Sequence, residues 1–125
     1  MFLQNETLQL KGLRGAITCE ENTKEAIEVA ANELIKALIS RNSLIPARIL
    51  SMTFSDTKDL NACFPASIAR RQEGWENVAL LDCQQMFVKG DLPKCIRLLA
   101  SVYLPYEKKP HNPYLRKAKN LRPDR

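Results

Sequence analysis

Cys95-Ile96-Arg97-Leu98-Leu99-Ala100-Ser101-Val102-Tyr103-Leu104 is the most apolar stretch of the chain, and it carries an arginine near its start. The run is too short to span a membrane and reads as a buried strand. A guanidinium stays charged at any working pH, so placing it in such a strand is costly unless an anion meets it. An acidic side chain of the protein or a bound anion is therefore expected at Arg97.

Upstream of this strand, Lys89-Gly90-Asp91-Leu92-Pro93 reads as a turn. Val78–Leu81 reads as another buried strand, with Asp82-Cys83-Gln84-Gln85 at its polar end. Phe64-Pro65-Ala66-Ser67-Ile68-Ala69-Arg70-Arg71 fits a short helix with proline at its first position, ending near Gly74. Leu50, Met52 and Phe54 alternate with Ser51 and Thr53 as a strand before a polar loop over 55–61. Asn22-Thr23-Lys24-Glu25 is a helix start, and Ile27, Ala31, Leu34, Ile35 and Leu38 recur at helical spacing, which predicts a helix over 22–41.

At the amino-terminal end, 8–18 reads as a strand in which Gly12 and Gly15 flank a second strand-borne cation, Arg14. From Pro105 onward the pattern gives way to Pro110, Pro113 and a basic run, a flexible tail with a weak strand near 114–119. The expected fold class is α+β, one domain over 1–125 with a mixed sheet covered by helices on one face. A small sheet of this kind leaves an edge or a face open, so self-association is expected.

Composition narrows the function. The start of the chain lacks the pattern of a signal peptide and no run spans a membrane, so a cytoplasmic protein without membrane contact is expected. The net charge of +5 is concentrated near the carboxyl terminus. Few aromatics interleave with it, which argues against a nucleic-acid partner. Cys19, Cys63, Cys83 and Cys95 are widely spaced and His111 is the only histidine, so the cysteines are expected as free buried thiols rather than metal ligands. No glycine-rich phosphate loop, nucleophile elbow or kinase signature is present.

Arg14 and Arg97 are the principal constellation, open at this point to internal ion pairs or to a ligand. Tyr114, beside the basic end, either closes over an anion or packs. Phe64-Pro65-Ala66 with Arg70 is either an apolar wall or an ordinary helix start.

Taken in order, Arg14-Gly15-Ala16, Asp59-Leu60, Phe64-Pro65-Ala66, Arg70, Gly74-Trp75, Gln84, Lys94-Cys95-Ile96-Arg97, Tyr114-Leu115 and Leu121-Arg122-Pro123-Asp124 closely resemble the AroH-class chorismate mutases. The resemblance implies a homotrimer whose sheets form a pseudo-barrel, with active sites between subunits. It implies rearrangement of chorismate to prephenate, a step in phenylalanine and tyrosine biosynthesis, without cofactor, metal or covalent intermediate. Arg97 would face the ether oxygen of chorismate. Arg14 and Tyr114 would hold a carboxylate, and Phe64, Ala66 and Arg70 would arrive from the neighbouring subunit, with Leu121 and Arg122 closing the pocket. Relatives carry a glutamate that meets the ring hydroxyl of the substrate and faces the key arginine; this chain has Gln85 there, and Asp82 where cysteine is usual. The expectation is compensation, with Asp82 supplying the carboxylate and Gln85 an amide. The alternative is a degenerate, non-catalytic trimer that binds small anions.

Overall fold

The computed structural model describes residues 7–121. In chain order the elements are β1 (Leu8–Thr18), α1 (Lys24–Asn42), a 3₁₀ turn (Pro46–Arg48), β2 (Ile49–Asp56), α2 (Pro65–Arg70), β3 (Ala79–Gln84), β4 (Cys95–Pro105), β5 (Tyr114–Leu115) and a 3₁₀ helix (Arg116–Leu121). The Arg97 strand, β4, is the middle of a five-stranded sheet ordered β3-β2-β4-β1-β5. It pairs antiparallel with β1 and β2, while β2–β3 and β1–β5 are parallel. The sheet is mixed, as the alternation of elements predicts.

The period-2 pattern of β4 decides the layers. Ile96, Leu98, Ala100, Val102 and Leu104 are buried with Leu13, Ile17, Met52 and Phe54 of the flanking strands. This face meets Ile27, Ala31, Leu34, Ile35 and Leu38 of α1 in one core. Each fully buried aliphatic side chain contributes about 1.5–3 kcal/mol relative to exposure, so this layer outweighs any surface contact. The other face is open: Leu10, Leu81, Leu99 and Tyr103 are all exposed there, Leu99 by 56%.

Three departures from the sequence reading have physical causes. The helix begins at Lys24 because Thr23 caps it, its Oγ1 accepting from Ala26 N–H at 3.1 Å. Asn22 is used elsewhere: its Oδ1 accepts from Asn61 and Ala62 N–H and its Nδ2 donates to Asn61 Oδ1, which ties down the segment leading into Phe64. Asp82-Cys83-Gln84 belongs to β3 itself, paired with Phe54-Ser55-Asp56, because backbone pairing with β2 carries the ladder to the end of this edge strand without needing apolar side chains there. Of the four cysteines, all free, only Cys19 and Cys95 are buried, whereas Cys63 is half-buried and Cys83 exposed.

The chain after Pro105 is anchored through buried Asn42. Its amide donates to Leu38 and His111 carbonyls and accepts from His111 N–H, joining the end of α1 to the approach of β5. Gly15 admits Pro113, since a Cβ there would lie 3.0 Å from the Pro113 carbonyl oxygen. Gly12 has nothing within 4 Å of a built Cβ, so the close approach read from both glycines exists at Gly15 alone.

Candidate active site

On the open face, Arg97 lies between Ala16 of β1 and Ser55 of β2 in the strand register, and Ala16 is in turn paired with Tyr114 of β5. Arg14 is two residues from Ala16, on the same side of the sheet. A cavity of about 310 Å³ is lined by Arg14, Gly15, Ala16, Arg97, Leu98, Tyr114 and Leu121. Residues far apart in the sequence are thus brought to one hollow, with two guanidiniums in its wall.

The segment carrying Tyr114 and Leu121 is fastened from both sides. Ala16 N–H donates to the Pro113 carbonyl at 3.0 Å, and Asn112 Oδ1 accepts from Arg14 N–H at 2.7 Å. Arg116 donates to the Thr18 carbonyl and pairs with Glu33 of α1 at 2.8 Å. Arg122 lies outside the described residues.

The two arginines differ in their partners. Arg14 is exposed and its guanidinium forms no ion pair among the described residues. Arg97 Nη2 donates to both carboxylate oxygens of Asp91, each at 3.1 Å, so the internal pair left open by the sequence exists here. Its Nε is buried, with no oxygen or nitrogen acceptor among the described residues. The guanidinium also meets the Cys95 thiol of its own strand.

Phe64, Ala66, Arg70 and Asp82 form a second group. Phe64, Pro65, Asp82, Cys83, Gln84 and Asp56 are among the residues lining a cavity of about 450 Å³. Phe64 is 70% exposed ahead of α2, which proline starts. Ala66 N–H donates to Asp82 Oδ1 at 3.0 Å. Asp82 pairs with core-facing Phe54, so it projects to the helix side of the sheet, on the opposite face from Arg97. Burial pushes its carboxyl above the usual range, opposed by the Ala66 N–H and the charge of Arg70. Gln85, by contrast, is near Arg97: its Oε1 accepts from Ser55 Oγ at 2.6 Å, and Ser55 stands opposite Arg97 in the β2–β4 ladder.

Two acidic residues escaped the sequence reading. Asp91 sat in a turn six residues from Arg97, with no periodicity to place it. Asp56 had a signal, because the alternation that turns Met52 and Phe54 inward continues to it. It is 8% exposed, with Oδ1 buried and without a hydrogen-bond partner among the described residues. Burial, with Asp82 nearby, pushes its carboxyl up to about 7.

Residues 10–125 match the profile of the family described as chorismate mutase type I. The chain is 38% identical over 119 residues to chorismate mutase AroH of Bacillus subtilis (strain 168), covering 94% of this chain and 93% of that one. It is 41% identical over 118 residues to chorismate mutase AroH of Thermus thermophilus, covering 92% and 95%. The fold is similar to that of a solved chorismate mutase from Clostridium thermocellum, with a TM-score of 0.81 and 36% identity over 88% of this chain and 98% of the other.

Proposed function

This chain belongs to the type I chorismate mutases and is an isomerase acting on chorismate, and from that premise we propose how its two groups of residues share the reaction. The site is built between copies of a cytoplasmic homotrimer in aromatic amino acid biosynthesis, Arg14, Arg97, Tyr114, Leu121 and Gln85 coming from one copy and Phe64, Ala66, Arg70 and Asp82 from the next. The separation of these groups on one chain supports that reading, as does the open apolar face with Leu99 and Tyr103 exposed. The observation that carries the proposal is the cavity into which Arg14, Arg97 and Tyr114 converge.

The rearrangement breaks a C–O bond and forms a C–C bond within one molecule, so no proton needs to move and no nucleophile is required. Catalysis then rests on holding the folded conformer and on stabilising charge where it develops. Arg97 meets the ether oxygen as negative charge grows there, an interaction stronger in the transition state than in the ground state. Arg14, with Tyr114, holds a carboxylate, where the fork geometry of a guanidinium suits two oxygens. Phe64 forms the apolar wall against the enolpyruvyl group, and Arg70 adds a cation.

Asp82 supplies the carboxylate that accepts the ring hydroxyl. Asp82→Asn is expected to lower kcat/KM for chorismate by about 2 kcal/mol, the size of a hydrogen bond to a charged group; unchanged turnover would remove Asp82 from the site. The activity itself is tested by following the loss of chorismate's diene absorbance with purified protein. Enzyme-dependent decay with formation of prephenate is expected, and decay at the uncatalysed rate would defeat the proposal.

A further inference from the structure

Asp91 sits against Arg97, a contact to which the proposed reaction assigns no part. Both of its carboxylate oxygens are 3.1 Å from Arg97 Nη2, and the two side chains are only 25% and 28% exposed. The carboxylate is itself fixed: Oδ1 accepts from Leu92 N–H at 2.8 Å, and Asp91 N–H donates to the Val88 carbonyl at 3.0 Å. Gly90, with φ of +86°, makes the turn that delivers it. Downstream, Lys94 N–H is held by both oxygens of Asp59. A rigid turn therefore presents an anion to the one arginine whose direction matters most.

We propose that Asp91 is a positioning residue for the reaction, the carboxylate that orients the Arg97 guanidinium toward the substrate. The inference rests on the reading of Arg97 given above. Gln85, which meets Ser55 opposite Arg97 in the β2–β4 ladder, is an amide and supplies no charge. Two duties are thereby divided in this chain: Asp82 receives the ring hydroxyl, and Asp91 steadies the arginine. The binding consequence has a definite sign. Asp91 offsets part of the positive charge that attracts a dianion, so its loss leaves ground-state attraction undiminished while Arg97 loses its aim.

A partly exposed ion pair contributes little to stability, so a structural role alone would leave catalysis near normal once the folded fraction is matched. Asp91→Asn is close to isosteric and keeps an oxygen for Leu92 N–H. It is expected to lower kcat about tenfold, as a small misplacement of a catalytic group does, without raising KM. Gln85→Glu, which restores a carboxylate beside Arg97 from the Ser55 side, is expected to recover most of that loss in the Asp91→Asn background. The experiment measures kcat and KM for chorismate in wild type, Asp91→Asn and the double variant. An Asp91→Asn kcat within about twofold of wild type, too small a loss for a misplaced guanidinium, would overturn the inference. A loss that Gln85→Glu leaves in place would overturn it equally. A wild type without turnover would instead defeat the mutase reading, and the part given to Asp91 with it.

Discussion

Arg97→Lys is expected to lower kcat for chorismate by more than about 3 kcal/mol, the upper part of the range for removing one preorganised transition-state donor. The substitution keeps the charge, so long-range attraction of the dianion survives and KM should change far less than kcat. What it removes is the planar fork. One nitrogen, Nη2, is engaged by Asp91, so a single side chain is anchored and its planar fork still has donors to offer. A lysine ammonium at this place would be drawn to Asp91 and could not serve the pocket from a second, rigidly coplanar nitrogen. Initial rates over a range of chorismate concentrations measure both constants. Near-normal turnover would mean that Arg97 does not face the breaking bond.

Asp56→Asn is the second large effect, this time on stability. With a folded value of about 7 against an ordinary 3.8, the folded protein keeps a proton on Asp56 that the unfolded chain releases. Stability attributable to this group therefore falls as pH rises from about 4 to 7 and stays low above that. Three units correspond to up to about 4 kcal/mol. The cause is burial, with Asp82 adding repulsion, and Oδ1 has no compensating donor among the described residues. Asparagine carries no charge at any pH, so the variant should be more stable than wild type at pH 8 and little different at pH 4. Denaturant unfolding at both pH values checks this; equal pH slopes for the two proteins would show that Asp56 is not buried as a titrating carboxylate.

The fold was legible where periodicity is long. The alternation in 95–104 and the helical spacing from Ile27 to Leu38 each describe one face of one element, and both faces are buried as read. The polar end of β3 was read as lying beyond the strand because Asp82-Cys83-Gln84 carries no apolar alternation; its place in the ladder is fixed by pairing with β2, a tertiary fact. Arg14 and Arg97 were legible as candidates because a charge in an apolar strand demands an explanation, Tyr114 because it lies beside the basic end, and Leu121 came with the ordered motifs. Their convergence was not, since it depends on Gly15 and Asn42 drawing residues 111–115 against β1. Asp91 was invisible for a simpler reason. A carboxylate in a turn looks the same in sequence whether it faces water or a guanidinium.

In the proposed homotrimer each site takes Arg97 from one copy and Arg70 from another. Arg97→Ala removes the first half, and Arg70→Glu reverses the charge of the second at an exposed position that leaves the core intact. Each variant alone is expected to be nearly inactive. When the two are unfolded together, refolded as an equimolar mixture and assayed with chorismate, random assortment in a closed trimer gives about a quarter of the sites two intact halves. Activity should then return to about a quarter of the wild-type value, by the same assortment. A mixture no more active than its parents would contradict a site shared between copies.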